Sequence, residues 1–488
     1  MLRLPTTTTR GGILADVSDV MGSLGLDVGT GSLKAAIVSP AGTAAEPEIE
    51  RACSHSYSLA SPRPGWAEIN AQEWLAAARI GFADLGDPSG RVGFSGQMHG
   101  VVIADEDLIP LRPAITWADT RGADYVGRIV REVSGDARSR LGSVPVAGFA
   151  ATSLAWVRDN EPEVWSKARW FLQVKDWVRA RSGGDVLTER SDASGTLLFD
   201  LTTGAWSPEM LAWLGIDAER LAPIVDSTVS GGDITIDRVA RPTAVGGADT
   251  ACVITALGLR EGAGFIAVGS GAQIVRVTAN TAFDDATHLF ACAGGPHDGF
   301  YRIGAVQNAG VALTRILDIL GASVEEANAA LDTDVRGDDP IFVPYLAGER
   351  TPFMDATLRG AWHGIGLHID RQALLRSALE GIAHAVALAC AAVSASDGPF
   401  EQPVMLVGGG TVDPCFRQLL ADATGLALAP VAAPDAAVLG AGLLAQGISR
   451  NPVPPTTQGV ITPRDSMSAL LAERREQHLI WVRTQQES

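Results

Sequence analysis

Two short glycine turns supply the first residues that could do chemistry. Val28-Gly29-Thr30-Gly31 and Val268-Gly269-Ser270-Gly271 share the order valine, glycine, hydroxyl residue, glycine, and each lies between two apolar segments. Glycine allows a close approach of the backbone, so amides and hydroxyls together can cradle phosphates. One such turn alone is more simply a plain β-hairpin. Two of them, in separate halves, predict a duplicated domain with one phosphate-binding hairpin in each copy.

Charged and hydroxyl side chains flank the first hairpin. Asp27 stands just before the turn, and Lys34 follows it. We expect the carboxylate of Asp27 to hold Mg²⁺ against bound phosphates, directly or through water. Neither hairpin is a Walker A loop, because the pattern G-x-x-x-x-G-K-[ST] is absent. The expected phosphate contacts are Gly29, Thr30, Gly31, Ser32 and Lys34 in the first hairpin and Gly269, Ser270 and Gly271 in the second.

A second acidic residue, Asp249, follows two glycines and precedes the helical segment Ala251–Gly258. A carboxylate at this place could act as the general base that takes a proton from a sugar hydroxyl during its attack on a γ-phosphate. It could equally be the N-cap of the helix, which needs a side-chain oxygen but no basicity. The pattern alone leaves both interpretations open.

Polar and aromatic side chains are dense in two segments that follow strands. Polyols need hydrogen bonds from carboxylates and amides, together with an aromatic face for their C–H side. A single histidine or tryptophan is more often a core residue, but this density favours a sugar site. The candidates are Gln97, Met98 and His99 in one segment, Trp117, Asp119 and Arg121 in the other, and Asp249 and Thr250 farther along the chain.

A glycine triplet in the second half predicts part of a nucleotide pocket. Gly408-Gly409-Gly410 follows the apolar segment Val404–Val407 and precedes a helix expected from about Pro414, with Asp413 just before it. A strand, a glycine turn and a helix start bring free backbone N–H groups close to a ligand. We therefore expect Gly408, Gly409, Gly410 and Asp413 to contact the nucleotide.

Mixed helices and strands must position these residues. The polar, glycine-rich segment Ser227–Pro242 is interpreted as a linker that places a domain boundary near Arg241. The apolar segment Ala373–Ala395 contains Arg376, Glu380 and His384, which favours a buried amphipathic helix over a membrane span. Further predicted helices lie near Trp74–Phe82 and Ala150–Asp159, and further strands near Val92–Ser95 and Ile341–Pro344.

Length and composition limit the classes of protein. The 488 residues predict two large domains, and the net charge of −18 makes nucleic acid and anionic membranes poor partners. The five cysteines are scattered and odd in number, which indicates a reducing cytoplasm rather than a disulfide scaffold. The oligomeric state cannot be read from one sequence, and a homodimer stays an open alternative.

The first twenty residues differ from the rest. A low-complexity tract, Pro5–Thr9, precedes Met21, which stands beside the first clear strand. We therefore expect residues 1–20 to be a disordered extension and Met21 to be the natural start. The expected domains are 21–241, with the sugar site and the first hairpin, and 242–488, with Asp249, the second hairpin and the nucleotide pocket.

These segments together resemble the FGGY family of carbohydrate kinases, and within it the xylulokinases. The resemblance runs from about Met21 to Gln446. It is most specific in Ser95–Gly100, in Leu111–Ile115 with Trp117, Asp119 and Arg121, in Pro344–Pro352, in Gly360–Gly364, in Leu379–Gly381, and in Gly408–Gly410 with Arg417 and Gln418.

The resemblance implies a fold and a reaction. The fold is α/β, a duplicated two-domain actin-like ATPase (ribonuclease H-like) architecture with an interdomain cleft. The reaction is phosphorylation of a ketopentose such as D-xylulose at its terminal hydroxyl by Mg-ATP. By the same resemblance Asp249 is the catalytic base, Met98 and His99 contact the sugar, Asp27 is the acid near the phosphates, and Gly408–Gly410 belong to the nucleotide pocket.

The sequence departs from the family pattern at several positions. The second hairpin reads Gly269-Ser270-Gly271-Ala272 where the family usually has G-T-S-G, so one hydroxyl is missing. Thr250 stands where xylulokinases usually have Asn, which leaves the exact sugar open. Two alternatives therefore remain: a kinase for another ketose or polyol, and a catalytically weak protein that senses sugar or nucleotide.

Overall fold

The structure is a computed structural model that describes residues 22–42, 45–86, 88 and 90–487. The expected extension 1–20 and the expected start at Met21 lie outside the described residues. The helices are α1 Ala71–Asp84, α2 Ala123–Glu132, α3 Gly135–Arg140, α4 Ala150–Asn160, α5 Pro162–Lys167, α6 Val174–Arg181, α7 Arg190–Ser194, α8 Pro208–Leu214, α9 Asp249–Leu257, α10 Gly310–Leu320, α11 Val324–Ala329, α12 Arg371–Asp397, α13 Pro414–Thr424, α14 Ala436–Ala445 and α15 Asp465–Gln486.

Most strands belong to two large mixed sheets, one in each half of the chain. The strands are β1 Ser23–Val28, β2 Ser32–Val38, β3 Ile49–Ser56, β4 Glu68–Ile69, β5 Val92–Gly96, β6 Val102–Ala104, β7 Ala114–Ile115, β8 Trp170–Leu172, β9 Thr188–Glu189, β10 Phe199–Asp200, β11 Ala205–Trp206, β12 Ile224–Val225, β13 Ser230–Ile236, β14 Val239–Ala244, β15 Gly247–Ala248, β16 Gly264–Val268, β17 Ala272–Thr278, β18 His288–Ala291, β19 Phe300–Val306, β20 Ile341–Val343, β21 Ala361–His363, β22 Val404–Val407 and β23 Leu428–Pro430.

The two sheets repeat one arrangement of strands. In the first sheet β3, β2 and β1 are antiparallel neighbours, and β5 then pairs parallel with β1. In the second sheet β19, β17 and β16 are antiparallel neighbours, and β22 then pairs parallel with β16. Each glycine hairpin connects the corresponding pair, β1 to β2 and β16 to β17. The duplication inferred from the two turns is therefore present in the topology.

The segment expected to be a linker is instead regular structure. Ser230–Ile236 and Val239–Ala244 form an antiparallel hairpin at the edge of the first sheet, where β14 touches β5. The short strand β15 also pairs with β5. Buried Ile234 and Ile236 anchor this hairpin despite the polar composition around them. The domain boundary near Arg241 stays a prediction. The strand Gly247–Ala248, which follows Arg241, still belongs to the first sheet.

Helix α14 connects the two halves in space. It packs against β1, β5 and α9, although it follows the second sheet in the chain. A Cβ at Gly93 would lie 1.8 Å from the carbonyl oxygen of Ala441, so only glycine permits this approach. Burial of α14 between the first sheet and α9 holds the start of α9 beside the carboxyl ends of β1 and β5.

Helix α12 forms the middle of the second core. By length and mean hydropathy, 1.6 over its most apolar window, it could cross a membrane, but 78% of that window is buried inside the protein. Its charged residues are paired: Arg376 with Asp339 at 2.7 Å, and Glu380 with Arg474 at 2.6 Å. The expected buried amphipathic helix is therefore what the structure contains.

Candidate active site

A cavity of about 230 Å³ lies between the two halves and is lined by residues of both. Ends of strands and the first turn of α9 meet at this cavity. The edge of a sheet where strands end is where α/β proteins usually bind ligands. The lining combines six predicted site residues with seven others. The first half contributes Thr30, Met98, His99, Trp117 and Phe149, and the second contributes Asp249, Thr250, Gln273, His288, Phe290, Ile303, Ala305 and Arg350.

Asp249 is the first residue of α9, not its N-cap, because Ala248 occupies the capping position. Oδ1 of Asp249 accepts hydrogen bonds from the backbone N–H of Thr250 at 2.6 Å and from its hydroxyl at 3.2 Å. Oδ2 has no hydrogen-bond partner among the described residues. Burial, and then the negative charge of Asp27, raise the pKa of Asp249 to about 7. This carboxyl group can therefore exchange a proton near neutral pH.

Met98 and His99 form the first-half wall of the cavity. Nδ1 of His99 lies 2.6 Å from the carbonyl oxygen of Gly195, so Nδ1 carries the proton and Nε2 is a free acceptor. The imidazole stacks on Phe149 with ring centroids 4.2 Å apart. Burial lowers the pKa of His99 to about 4, so the ring is neutral at pH 7. The sulfur of Met98 accepts from the hydroxyl of Tyr301 at 3.3 Å.

Seven residues of this cavity were missed by the sequence interpretation, four of them aromatic or charged side chains. Phe149, His288 and Phe290 make an aromatic wall, with Phe149 and His288 centroids 5.7 Å apart. No spacing in the sequence distinguishes them from core residues. Arg350 did carry a signal, because it belongs to the segment Pro344–Pro352, where the family resemblance is strong.

A second cavity, of about 490 Å³, adjoins the first and contains the second hairpin. Gly269, Ser270 and Gly271 line it, as expected for a phosphate groove. Helix α10 begins directly behind the turn, where Gly310 donates its N–H to the carbonyl oxygen of Gly269 at 3.0 Å. The two cavities share four lining residues, so they lie side by side. The shared residues are Trp117, Gln273, Ala305 and Arg350.

Arg350 is the cation at this junction. Its guanidinium has no hydrogen bond or ion pair with any residue that the structure describes. Its neighbour Glu349 is occupied elsewhere, since it accepts from the backbone N–H of Gln307 at 2.6 Å. Burial lowers the pKa of Arg350. An unpaired arginine between the two spaces can attract an anion that spans them.

The first hairpin lies at the same edge of the cleft. Oδ1 of Asp27 accepts from the hydroxyl of Ser95 at 2.7 Å, and burial raises the pKa of Asp27. Thr30 lines the first cavity, and its hydroxyl accepts from the indole nitrogen of Trp117 at 2.7 Å. Lys34 is paired with Asp435, which the sequence interpretation did not single out. The turn itself, Gly29–Ser32, closes with a bond from the N–H of Gly29 to the carbonyl oxygen of Ser32 at 3.0 Å.

The glycine triplet lies at the carboxyl end of β22, beside the second hairpin. Gly408 has φ 99°, and a Cβ there would lie 2.5 Å from the carbonyl oxygen of Val268. Gly408, Gly409 and Gly410 are exposed. Asp413 is the N-cap of α13 and accepts from the N–H of Phe416 at 2.9 Å. Direct nucleotide contact by Asp413 therefore competes with a capping role that already occupies one of its oxygens.

Three predicted sugar contacts do not reach the cavity. Asp119 and Arg121 are buried and bind each other at 2.7 Å, and Arg121 also binds Glu68 at 2.7 Å. Gln97 lies against the first hairpin, where its amide donates to the carbonyl oxygen of Gly29 at 3.1 Å. None of the three lines the cavity, and the polar atoms named here are bonded within the protein, so the arrangement does not support a direct sugar contact, which stays a prediction.

The donor set near the first hairpin fits Mg²⁺, which prefers oxygen ligands. Oδ2 of Asp27 has no hydrogen-bond partner among the described residues, so one carboxylate oxygen remains available beside the phosphate turn. Elsewhere in the described chain, Cys53, His55 and Asp84 bring potential ligand atoms within 4.8 Å of one another, outside the cleft. Asp27 thus offers a carboxylate oxygen beside the first hairpin, and its role as a metal ligand stays a prediction.

Known proteins share this architecture. Residues 23–258 match the N-terminal domain, and residues 279–446 the C-terminal domain, of the FGGY family of carbohydrate kinases. A xylulose kinase of Klebsiella pneumoniae is 30% identical over 83% of this chain and 85% of its own. A gluconokinase of Bacillus subtilis is 28% identical over 82% of both chains. The crystal structure of a xyloylose kinase from Brucella ovis superposes with a TM-score of 0.87 at 26% identity, covering 95% of this chain and 99% of its own.

Proposed function

We propose that this chain, which belongs to the FGGY family of carbohydrate kinases, transfers the γ-phosphoryl group of ATP to D-xylulose and forms D-xylulose 5-phosphate. The free oxygen of Asp249 in the cavity, on a group with a pKa of about 7, is the observation that carries the proposal. Relatives named xylulose kinase, 27–30% identical, support the choice of sugar.

The sugar lies in the smaller cavity with its terminal hydroxyl toward Asp249. Oδ2 of Asp249 takes the hydroxyl proton as the sugar oxygen attacks phosphorus, while the Thr250 bonds hold Oδ1 in place. Nε2 of His99 accepts a hydrogen bond from a sugar hydroxyl, and the ring is kept in its tautomer by Gly195. The aromatic wall covers the C–H side of the sugar and excludes water.

The phosphates lie in the adjoining groove. Backbone amides of Gly269–Gly271 and of Gly29–Gly31, with the hydroxyls of Thr30 and Ser270, hold the phosphate oxygens. Arg350 lies between the sugar and phosphate spaces, where negative charge increases in the transition state. Mg²⁺, held by Asp27, would neutralise part of the phosphate charge. Gly408–Gly410 leave room for the rest of the nucleotide at the exposed end of β22.

Release of ADP across a panel of acceptors tests the proposal. The panel is D-xylulose, D-ribulose, xylitol, glycerol and D-gluconate, each with Mg-ATP, with a sugar-free reaction as the blank and Asp249→Asn as the matched inactive variant. The highest kcat/KM is expected with D-xylulose. A much higher kcat/KM for another acceptor would overturn the choice of sugar and leave the kinase reaction intact.

D-Gluconate is the second acceptor worth naming. A gluconokinase is among the relatives, and the unpaired guanidinium of Arg350 could hold a carboxylate in the sugar cavity. If Arg350 serves that purpose, D-gluconate should have the lowest KM of the panel, and Arg350→Gln should raise that KM more than it lowers kcat. If Arg350 serves the phosphoryl group, kcat should fall with every acceptor.

A weak sensing protein remains the alternative of another class, because the second hairpin has one hydroxyl fewer than the family pattern. It predicts ADP release that sugar does not stimulate.

We also place the protein in the reducing cytoplasm, since its five cysteines are all free thiols. The proposed partners are small molecules, ATP and sugar, and not nucleic acid or membrane.

A further inference from the structure

His288, the first residue of β18, has no hydrogen-bond partner in the protein. Its side chain lines the sugar cavity, yet the residue is only 3% exposed. Neither Nδ1 nor Nε2 binds any group that the structure describes. A polar group that is buried without a partner destabilises the fold, so buried nitrogens are nearly always bonded. Two orphaned nitrogens on one ring in a cavity wall point to a partner that comes from outside.

The other buried histidines show what the fold normally provides. His99 has the carbonyl oxygen of Gly195 at 2.6 Å, His384 has Glu380 at 3.0 Å, and His478 has the hydroxyl of Tyr345 at 2.9 Å. Among the buried histidines in the described chain, His288 alone has both nitrogens unbonded. Packing of the imidazole against aromatic rings explains its position but leaves the nitrogens without partners.

Burial and the nearby charges determine the protonation state of His288. Burial lowers the pKa of His288 to about 3, and the positive charge of Arg350 and the ring of His99 act in the same direction. The ring is therefore neutral at pH 7, with one N–H donor and one acceptor nitrogen. A hydroxyl group can bind either nitrogen, because it accepts from the N–H or donates to the acceptor nitrogen, and two hydroxyls of one polyol can serve both. A carboxylate can only accept, so it can bind only the N–H of the ring.

We propose that His288 binds a hydroxyl of the sugar and selects against acceptors that lack it. The inference rests on the proposed function and adds a specificity residue to the aromatic wall that Phe149 and Phe290 share with His288. A site built around a buried polar group rejects an analogue without the matching hydroxyl, because that analogue leaves the buried group unpaired.

A cycle of variants and deoxy sugars tests this assignment. The variants are His288→Leu, which removes both nitrogens, His288→Gln, which keeps a donor and an acceptor, and Phe290→Leu, the control for loss of an aromatic ring from the same wall. The sugars are the best acceptor of the panel and its single-deoxy analogues, for example D-xylulose and 1-deoxy-D-xylulose. Both kcat/KM and the calorimetric Kd of the sugar without ATP are measured.

For one of the deoxy sugars, the kcat/KM and the affinity of the wild type should be about tenfold or more below those for the parent sugar. His288→Leu should bind and convert this deoxy sugar as well as the parent sugar. His288→Gln should keep part of the preference for the parent sugar, and Phe290→Leu should keep all of it. An equal loss on every sugar in His288→Leu, with an unchanged deoxy preference, would overturn the assignment and indicate packing alone. The calorimetric readout needs no turnover, so failure of phosphoryl transfer is seen separately, and absence of any sugar binding overturns both proposals.

Discussion

The carboxylate of Asp27, at the end of β1, raises the pKa of Asp249, at the start of α9, although the two belong to different halves of the chain. Burial contributes more than this repulsion, and the two effects together move the pKa of Asp249 to about 7. The close approach exists because α14 packs between the first sheet and α9. One consequence is a base that is half ionised near neutral pH.

We expect kcat/KM for the sugar to rise with pH and to level off above about pH 7. Asp249 must be ionised to take the hydroxyl proton, and its pKa in the folded protein is about 7. His99 and His288 are neutral across this range because their pKa values are about 4 and about 3. Initial rates from pH 5 to 9 at constant ionic strength check this. A flat profile between pH 5 and 8 would contradict the assignment of Asp249 as the base.

Asp249→Asn should lower kcat by about 10²–10⁴-fold while sugar and ATP still bind. The same variant should unfold at a higher temperature than the wild type at pH 8. The pKa of Asp249 is higher in the folded protein than in the unfolded chain, so wild-type stability falls as pH rises from about 4 to about 7. Asparagine removes this loss, which is at most about 4 kcal/mol.

The melting temperatures of both proteins at pH 5 and pH 8 are the measurement, with kcat taken from the same samples. The difference between them should be smaller at pH 5, where Asp249 is largely protonated in the wild type. A capping role would give the opposite result, a less stable variant with near-normal turnover in the folded fraction.

Arg350→Gln should lower kcat by about 10²–10³-fold if the guanidinium stabilises the transferring phosphoryl group. Arg350→Lys should recover part of the loss, because it keeps the charge but not the planar set of donors. Steady-state kinetics with varied sugar and varied ATP separate kcat from the two KM values. An unchanged kcat in Arg350→Gln would remove this residue from the transfer step.

Lys34 and Asp435 should act oppositely on ATP. Nζ of Lys34 lies 2.8 Å from Oδ1 of Asp435, although the two residues are 401 positions apart in the sequence. Both side chains are about one-third exposed. Lys34→Met should raise the KM for ATP severalfold, whereas Asp435→Asn should lower it because the ammonium becomes free for phosphate. Such exposed pairs contribute only about 0.2–1 kcal/mol to stability. An equal rise in the KM for ATP in both variants would mean that the ion pair instead stabilises the packing of the first hairpin against α14.

Asp119→Asn should affect stability and not sugar affinity. Asp119 is fully buried and paired with Arg121 at 2.7 Å, so loss of its charge leaves a buried guanidinium with reduced compensation. The expected loss is about 3–5 kcal/mol in urea unfolding. Glu132→Gln, which removes a carboxylate from a surface pair with Arg128, is the matched control and should change little. A large rise in sugar KM with normal stability would restore Asp119 to the sugar site.

The local parts of the site could be predicted from sequence. The two glycine hairpins, Asp27 before the first and Asp249 before a helix are patterns only a few residues long. Turn chemistry and strand ends act over that range, and the resemblance added the fold that brings them together. Met98 and His99 were singled out for the same reason, since they lie in the turn just after the buried strand β5.

Only the tertiary structure decided which polar groups face the cavity. The sequence predicted Asp119 and Arg121 as sugar contacts. In the fold, the buried guanidinium of Arg121 donates a hydrogen bond to Glu68, 53 residues earlier in the chain. His288 carries no local pattern that assigns it a role, and Arg350 is marked only by the family resemblance of Pro344–Pro352. The start of β18 and the segment after β20 bring the two side chains to the cavity that Asp249 also lines. Burial, charge pairing and the pKa of Asp249 depend on segments that are distant in the chain, and their proximity is a property of the packed fold.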